Sequence, residues 1–487
     1  MTNQSTVRKN FLYNTLLKYL NVLFPLITFP YVARVLSAEG IGQVDFSLSV
    51  IQYFILFSQL GIPTYAIREC ARYRDDKEKL TKTVQEILII NAVMIGLSYL
   101  IFAFMLYRVD VFEANSTLLI IMSISIISTS LGIEWFFQAI EDYRYITIRS
   151  TMVKLVSLVL VFVLVNQESD YVIYGSISIV AVSLGYVYNL IYANRIIPLF
   201  RRSSNYDVKR HIKPILTFFG LSLSISIYAN LNKVMLGLIS GNYSVGLYTV
   251  ADKMVRVVLP LVTSLGVVLV PRIAYNIKNG KQKEADELIE KALHFVTMIS
   301  IPAIVGIYLL AKPILILFAG STYLESVTAL RIISPILIII ALSNLIGIAI
   351  LVAHGKEKIT LLSTTVGAIV NFLINLFLIP RLNQDGAAIG TLAAELAVLL
   401  VQLIFAYRYI KGNINYRNVL SYLAGGLLVF INCSLLKLLH YNEIFELLLA
   451  TATSAVIYFG FLYVIKDSFI YPTVNRSVSK LGFIKKS

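Results

Sequence analysis

Apolar stretches follow one another along almost the whole chain, separated by short polar loops. Most run about 18–25 residues, the length a helix needs to cross a hydrocarbon core ~30 Å thick. The pattern predicts spans at roughly 11–33, 41–64, 84–106, 117–137, 149–166, 172–194, 214–238, 247–270, 292–311, 328–352, 359–379, 386–410, 418–436 and 445–465, about fourteen helices in all. One stretch reads differently by local pattern. Residues 222–232, SLSISIYANLN, alternate polar and apolar with period two, as a strand would. Within a bilayer the backbone must satisfy its own polar groups, so helix is expected there as well. As a helix it places Ser222, Ser226, Asn230 and Lys233 on one stripe. Helix 1 carries a similar stripe of Asn14, Lys18, Asn21, Pro25 and Thr28.

The polar punctuation repeats. Residues 36–47, LSAEGIGQVDFS, return as 239–250, ISGNYSVGLYTV. Gly61 followed by Arg68 and a basic run is matched by Gly266 followed by Arg272 and another. ITIRSTMV at 146–153 is matched by ITLLSTTV at 359–366. Three matches in one order mean that a single unit occurs twice. The expected fold is therefore an all-α polytopic membrane protein of two six-helix lobes plus two C-terminal helices. The lobes are 1–195 and 214–411, joined by a basic connector at 196–213; helices 13–14 and a tail occupy 412–487. Each copy holds an even number of spans, so the copies are parallel repeats related by an axis along the membrane normal, a layout found in secondary transporters.

Composition agrees with lipid as the solvent: 57% of the 487 residues are hydrophobic and 14% charged, against roughly 25% charged in soluble domains. The net charge of +15 is spent on orientation rather than on nucleic acid. Every second loop is basic, while the opposite side holds only Arg34, Arg108, Lys312, Arg381 and Lys437. By the positive-inside rule both termini face the cytoplasm. Arg8 and Lys9 precede the first apolar stretch, but its Asn14, Lys18 and Asn21 and the lack of a small-residue cleavage site mark a retained helix. Part of the connector is expected to lie in the interface as an amphipathic segment. No outer loop is long enough for a catalytic domain.

No chemistry of an enzyme stands out. A phosphate-binding G-x-x-x-x-G-K-[ST] loop is absent, and His211, His294, His354 and His440 are dispersed without metal-ligand spacing. Cys70 lies in a basic loop and Cys433 in an apolar span, so neither a disulfide nor a redox motif is expected. No cofactor or metal is implied.

What remains is ionisable groups inside spans, each costing about 2.5–3.5 kcal/mol or more if it faced lipid. Arg34, Asn230, Lys233, Lys253, Arg256 and Arg331 are the candidates for a cationic, water-filled cavity that meets an anionic group such as phosphate. Other roles are open to several. Asp252 and Arg256, at i and i+4, can neutralise each other. Lys253 and Arg331 lie near the outer boundary and can snorkel. Asp45, Asp252 and Glu395 are candidates for ion coupling or for hydrogen-bonded helix packing. Lys154 is a further charge within a span, and Asn371 and Asn375 suit interhelical hydrogen bonding.

Three segments carry a resemblance: EWFFQAIEDYRYITIRSTMVKL at 134–155, FPYVARVLSAEGIGQVDFS at 29–47 and NKVMLGLISGNYSVGLYTVADKM at 232–254. Together they look like bacterial polysaccharide flippases, the O-antigen and capsule repeat-unit translocases of the multidrug/oligosaccharidyl-lipid/polysaccharide (MOP) exporter superfamily. The resemblance spans essentially the whole chain. It implies two lobes around a central cavity, alternating access, and a substrate of oligosaccharide linked to undecaprenyl pyrophosphate, moved from the inner to the outer leaflet of the bacterial cytoplasmic membrane. It also implies basic side chains on lobe-facing helices that meet the pyrophosphate, with Arg34 and Lys233 on such helices here. Membrane lipids and a polysaccharide polymerase are the partners it suggests; nucleic acid is not. The alternative is a multidrug-type, cation-coupled exporter of the same fold, for which a cavity rich in acids and aromatics is expected.

Overall fold

The computed structural model describes residues 4–201, 205–412 and 416–481, and no strand occurs among them. The helices run in order as α1 (Gln4–Val35), α2 (Ala38–Gln59), α3 (Ile62–Arg72), α4 (Lys77–Arg108), α5 (Asp110–Ala114), α6 (Ser116–Leu131), α7 (Glu134–Ala139), α8 (Tyr143–Leu164), α9 (Tyr171–Ile196) and α10 (Lys209–Ile239). They continue as α11 (Asn242–Lys278), α12 (Gln282–Leu309), α13 (Ala311–Phe318), α14 (Ser326–Ile333) and α15 (Ile336–Asn344), which runs into a π-helical stretch at Leu345–Val352. The chain closes with α16 (Glu357–Ile410), α17 (Tyr416–Lys437), α18 (Glu443–Val464) and α19 (Ile470–Leu481).

Among the described residues, eleven helical stretches are long and apolar enough to cross a membrane. One of them, α16, is two helices joined at Asn383, whose φ of 48° and ψ of −125° are not helical. It therefore makes two passes. With α1 and α10, of 32 and 31 residues, the passes come to the fourteen expected. The period-two segment 222–232 lies within α10 and is helical, as the bilayer's demand for internal hydrogen bonds requires. Large apolar side chains line the outside: Leu100 is 71% exposed, Ile404 73% and Val456 74%. A surface of that kind needs lipid against it.

The chain forms two compact units, Met1–Gly246 and Leu247–Ser487. In the first, α1 packs on α8, α8 on α9, α9 on α6, and α6 on α2, while α10 lies along α2 and α3. The connector at 196–213 thus falls inside this unit, because α10 packs with the helices before it. At one end of the unit, α3, α4 and α7 bury Trp135, Phe136, Phe137 and Ile62 in one cluster. In the second unit, α12, α17 and α18 share a core of Met298, Tyr422, Val429 and Leu462. The two arms of α16 meet where Gly390 faces Asn375: a Cβ on Gly390 would lie 2.0 Å from the Asn375 Oδ1. Asn375 also donates to the Asn371 Oδ1 at 3.1 Å, both side chains buried.

Candidate functional site

The start of α2 and the start of α11 approach each other reciprocally within the first unit. A Cβ on Gly42 would sit 1.7 Å from the Asn242 carbonyl oxygen, and one on Gly246 would sit 1.9 Å from that of Ala38. No side chain fits at either position, so glycine is required by space. Gly246 stands to Gly42 as Asn242 stands to Ala38, at the same spacing of 204 residues. The contact fixes the register of the repeat, one residue away from the alignment of 36–47 with 239–250.

Asp45 lies three residues beyond Gly42, on the part of α2 that faces α10. Its Oδ1 accepts a hydrogen bond from the Lys233 Nζ at 3.2 Å. The two side chains are 14% and 20% exposed, so the pair is held mostly out of water. The sequence offered these residues for separate roles; the fold joins them. Removing charge from water is costly, and a partner at hydrogen-bond distance offsets much of that cost. Asn230, one turn before Lys233, is half-buried, while Arg34 in the last turn of α1 is exposed. Of the two polar stripes, Asn14, Lys18 and Asn21 on α1 and Ser222 and Ser226 on α10 have side chains outside the described residues, while the Thr28 hydroxyl donates to the Phe24 carbonyl at 3.0 Å.

The other candidates belong to the second unit. The Arg256 Nε donates to both carboxylate oxygens of Asp252, at 2.8 and 2.7 Å, one turn away on α11. Lys253 is half-buried beside them. Arg331 on α14 donates through its Nε to the Tyr308 carbonyl at 3.1 Å, and its guanidinium stacks 5.5 Å from the centre of the Tyr308 ring. Glu395 on the second arm of α16 is buried at 6% exposure. One residue off Thr391 on that arm lies the facing Gly390, and Thr391 itself shares a 2.8 Å hydrogen bond with the Tyr248 hydroxyl.

Sequence reasoning missed a buried network that fastens the connector. The Glu86 carboxylate on α4 is fully buried. It accepts from the Asp207 backbone N–H at 2.6 Å, from Arg210 at 2.6 Å, and contacts the His211 Nε2 at 2.9 Å. The His211 Nδ1 in turn meets the Tyr65 hydroxyl at 2.6 Å. Gln85 adds bonds to the carbonyls of Leu199 and Arg201. His211 carried no metal spacing and Glu86 sat in an apolar run. The readable signal was the acid itself, since a carboxylate inside a span needs a partner.

The profile of the family described as polysaccharide biosynthesis protein matches residues 7–277, more than half of the chain, and that of the MatE family matches 218–377. A protein of Escherichia coli (strain K12) named as an O-antigen transporter is 27% identical over 411 residues, covering 83% of this chain and 97% of that one. The lipid II flippase MurJ of Bacillus subtilis (strain 168) is 26% identical over 245 residues, covering 48% of this chain and 43% of its own. Among solved structures, the lipid II flippase MurJ in an inward closed conformation superimposes with a TM-score of 0.71 at 15% identity, over 94% of this chain and all of that one. An inward-facing MATE-family multidrug transporter of the MOP superfamily gives a TM-score of 0.60 at 17% identity, covering 80% and 94%. These last two likenesses concern the fold. With fourteen passes, a duplicated unit and a profile match over more than half its length, the chain belongs to the polysaccharide biosynthesis protein family and, with it, to the MOP superfamily of membrane transporters.

Proposed function

We propose that this transporter is a flippase for oligosaccharide linked to undecaprenyl pyrophosphate, carrying it from the inner to the outer leaflet by alternating access for cell-surface polysaccharide synthesis. The observation that carries the reading is the Asp45–Lys233 pair, a cation held inside the membrane by a carboxylate 3.2 Å away. A pyrophosphate sheds part of its hydration when enclosed and needs positive partners to offset the loss. Lys233 meets that need by exchanging one anionic oxygen for another, with Asp45 holding the ammonium between substrates. Arg34, exposed at the end of α1, is a second cation for the same headgroup. Arg256, Lys253 and Arg331 are assigned supporting roles in the second unit, with Asn230 beside Lys233. Asp252 and Glu395 are assigned to ion coupling.

The names of the relatives, an O-antigen transporter and a lipid II flippase, support the lipid-linked class of substrate. The cation-exporting alternative calls for an acid-rich cavity, whereas Asp45 on α2 is paired with Lys233. Both termini are assigned to the cytoplasm, and a polysaccharide polymerase is the partner such a step would supply. The test is surface polysaccharide in cells carrying Lys233→Ala and Arg34→Ala at normal membrane abundance. Loss of polymer supports the reading; normal polymer from the double variant overturns it.

A further inference from the structure

A cavity of about 210 Å³ opens within the first unit, between α1, α7, α8 and α9. Its polar lining is Glu134, Arg149, Ser150 and Lys154, and Gly185 and Tyr186 on α9 also line it. A polar space of that size admits ordered water or a small polar ring. The Arg149 Nη2 donates to the Glu134 Oε2 at 2.5 Å and its Nη1 to the Asn189 Oδ1 at 2.6 Å. The guanidinium also lies 5.5 Å from the centre of the Tyr186 ring. Arg149 is thereby fixed, with its side chain 10% exposed, while the Glu134 side chain stays 32% exposed and reachable. Lys154 lies 5.9 Å over the ring of Phe24 on α1.

We infer that this cavity is a monosaccharide subsite, taking one hydroxyl-rich sugar ring of the lipid-linked glycan between Glu134 and Lys154. The inference rests on the flippase reading for the identity of the larger substrate, and on the lining for the class of group bound. A phosphate offers only acceptors and leaves the Glu134 carboxylate without a donor. A sugar hydroxyl both donates and accepts, so it suits a lining that mixes a carboxylate acceptor, cationic donors and the Ser150 hydroxyl. Among the described residues Arg149 and Lys154 face one acid, Glu134, so a sugar bearing a carboxylate is held more tightly than a neutral one.

The chain carries a reporter. Its single tryptophan, Trp135, adjoins Glu134 on α7. Purified full-length protein is titrated with a neutral methyl hexoside, a methyl hexuronide and inorganic pyrophosphate, with tryptophan emission as readout. Saturable change with both glycosides is expected, the hexuronide binding more tightly. Glu134→Gln should weaken both by about tenfold, the value of one charge-assisted hydrogen bond. Lys154→Met should erase the preference for the hexuronide. Circular dichroism and elution profile confirm that each variant is folded. A response to pyrophosphate alone, or to none of the three in folded protein, overturns the subsite. The two readings fail separately. Glycoside binding by a protein that moves no lipid-linked glycan removes the flippase, and glycan transport without glycoside binding removes the subsite.

Discussion

The Asp45–Lys233 pair makes a quantitative claim that stability and transport can test independently. At 3.2 Å and an effective dielectric of ~20, the gross attraction is about 5 kcal/mol. Desolvation consumes much of it, and the residual exposure of both side chains screens the rest. Breaking a well-buried pair typically costs about 3–5 kcal/mol; with this exposure we expect about 1–3 kcal/mol for Asp45→Asn or Lys233→Gln alone. The double variant leaves no orphan charge, so it should lose less than the sum of the singles, with a coupling of at least ~1 kcal/mol. Thermal unfolding in detergent completes that cycle. Additive losses would refute the pair as a stabilising contact.

Transport separates the partners. If Lys233 exchanges Asp45 for phosphate oxygens, Lys233→Ala should lower handling of the lipid by about tenfold or more, since 1.4 kcal/mol is a decade. Lys233→Arg should retain more function than Lys233→Ala. The reversed pair, Asp45→Lys with Lys233→Asp, keeps the contact and should recover stability, but it moves the cation onto α2 and should not recover polymer. Normal surface polysaccharide in the reversed variant would show that only a neutral pair is needed there, and the exchange mechanism would fall.

Three further outcomes follow from other parts of the chain. Gly42→Ala places a methyl group into the Asn242 carbonyl and should destabilise by at least the ~1–3 kcal/mol of an overpacked core, read as a lower melting temperature or lost expression. In the turn between α8 and α9, the N–H groups of Asn166 and Gln167 donate to Asp170 at 2.8 and 3.0 Å and hold its carboxyl below the usual range. Its stabilisation is therefore complete above the ordinary carboxylate pKa and fades as pH falls through the lowered one, so the stability difference between the wild type and Asp170→Asn should shrink on acidification. A difference that grows toward acid would contradict it. Single cysteines at Asp75, Tyr206 and Lys281 should label from the cytoplasm, and those at Glu113, Tyr243 and Glu325 from outside; external labelling near Lys281 would overturn the orientation.

The all-helical fold of about fourteen spans and the helical state of 222–232 were legible because the bilayer imposes length and period on every span. Partnerships between side chains were not. Asp45 and Lys233 stand 188 positions apart, and nothing in either neighbourhood marks the other; only the lie of α10 along α2 brings them together. Asp252 and Arg256 were readable, since a spacing of four on one helix makes contact almost automatic. Glu86 and His211 fall between these cases. Glu86 could have been read as an acid in a span that needs a partner, but that partner was set by how the connector folds back on α4.

The reciprocal approach of Gly42 and Gly246 shows what the duplication supplies and what it does not. In a twofold arrangement each contact occurs twice with the partners exchanged, and Gly42 with Asn242 against Gly246 with Ala38 meets that condition at a spacing of 204 residues. At the same spacing Asp45 corresponds to Thr249, Lys233 to Phe29, Arg34 to Leu238, and Arg256 to Gln52. None of these four charges is duplicated, whereas others, such as Arg68 and Arg272 or Lys77 and Lys281, are. Within the spans, the repeated glycines carry backbone fit dictated by space, and Asp45, Lys233, Arg34 and Arg256 carry charge in one copy only. A transporter that only needed two symmetric halves could have kept its ionic groups in pairs. Under the flippase function proposed above, an amphiphile with one charged headgroup calls for cations placed once, and it is the unduplicated charges on α2 and α10 that such a mechanism must explain.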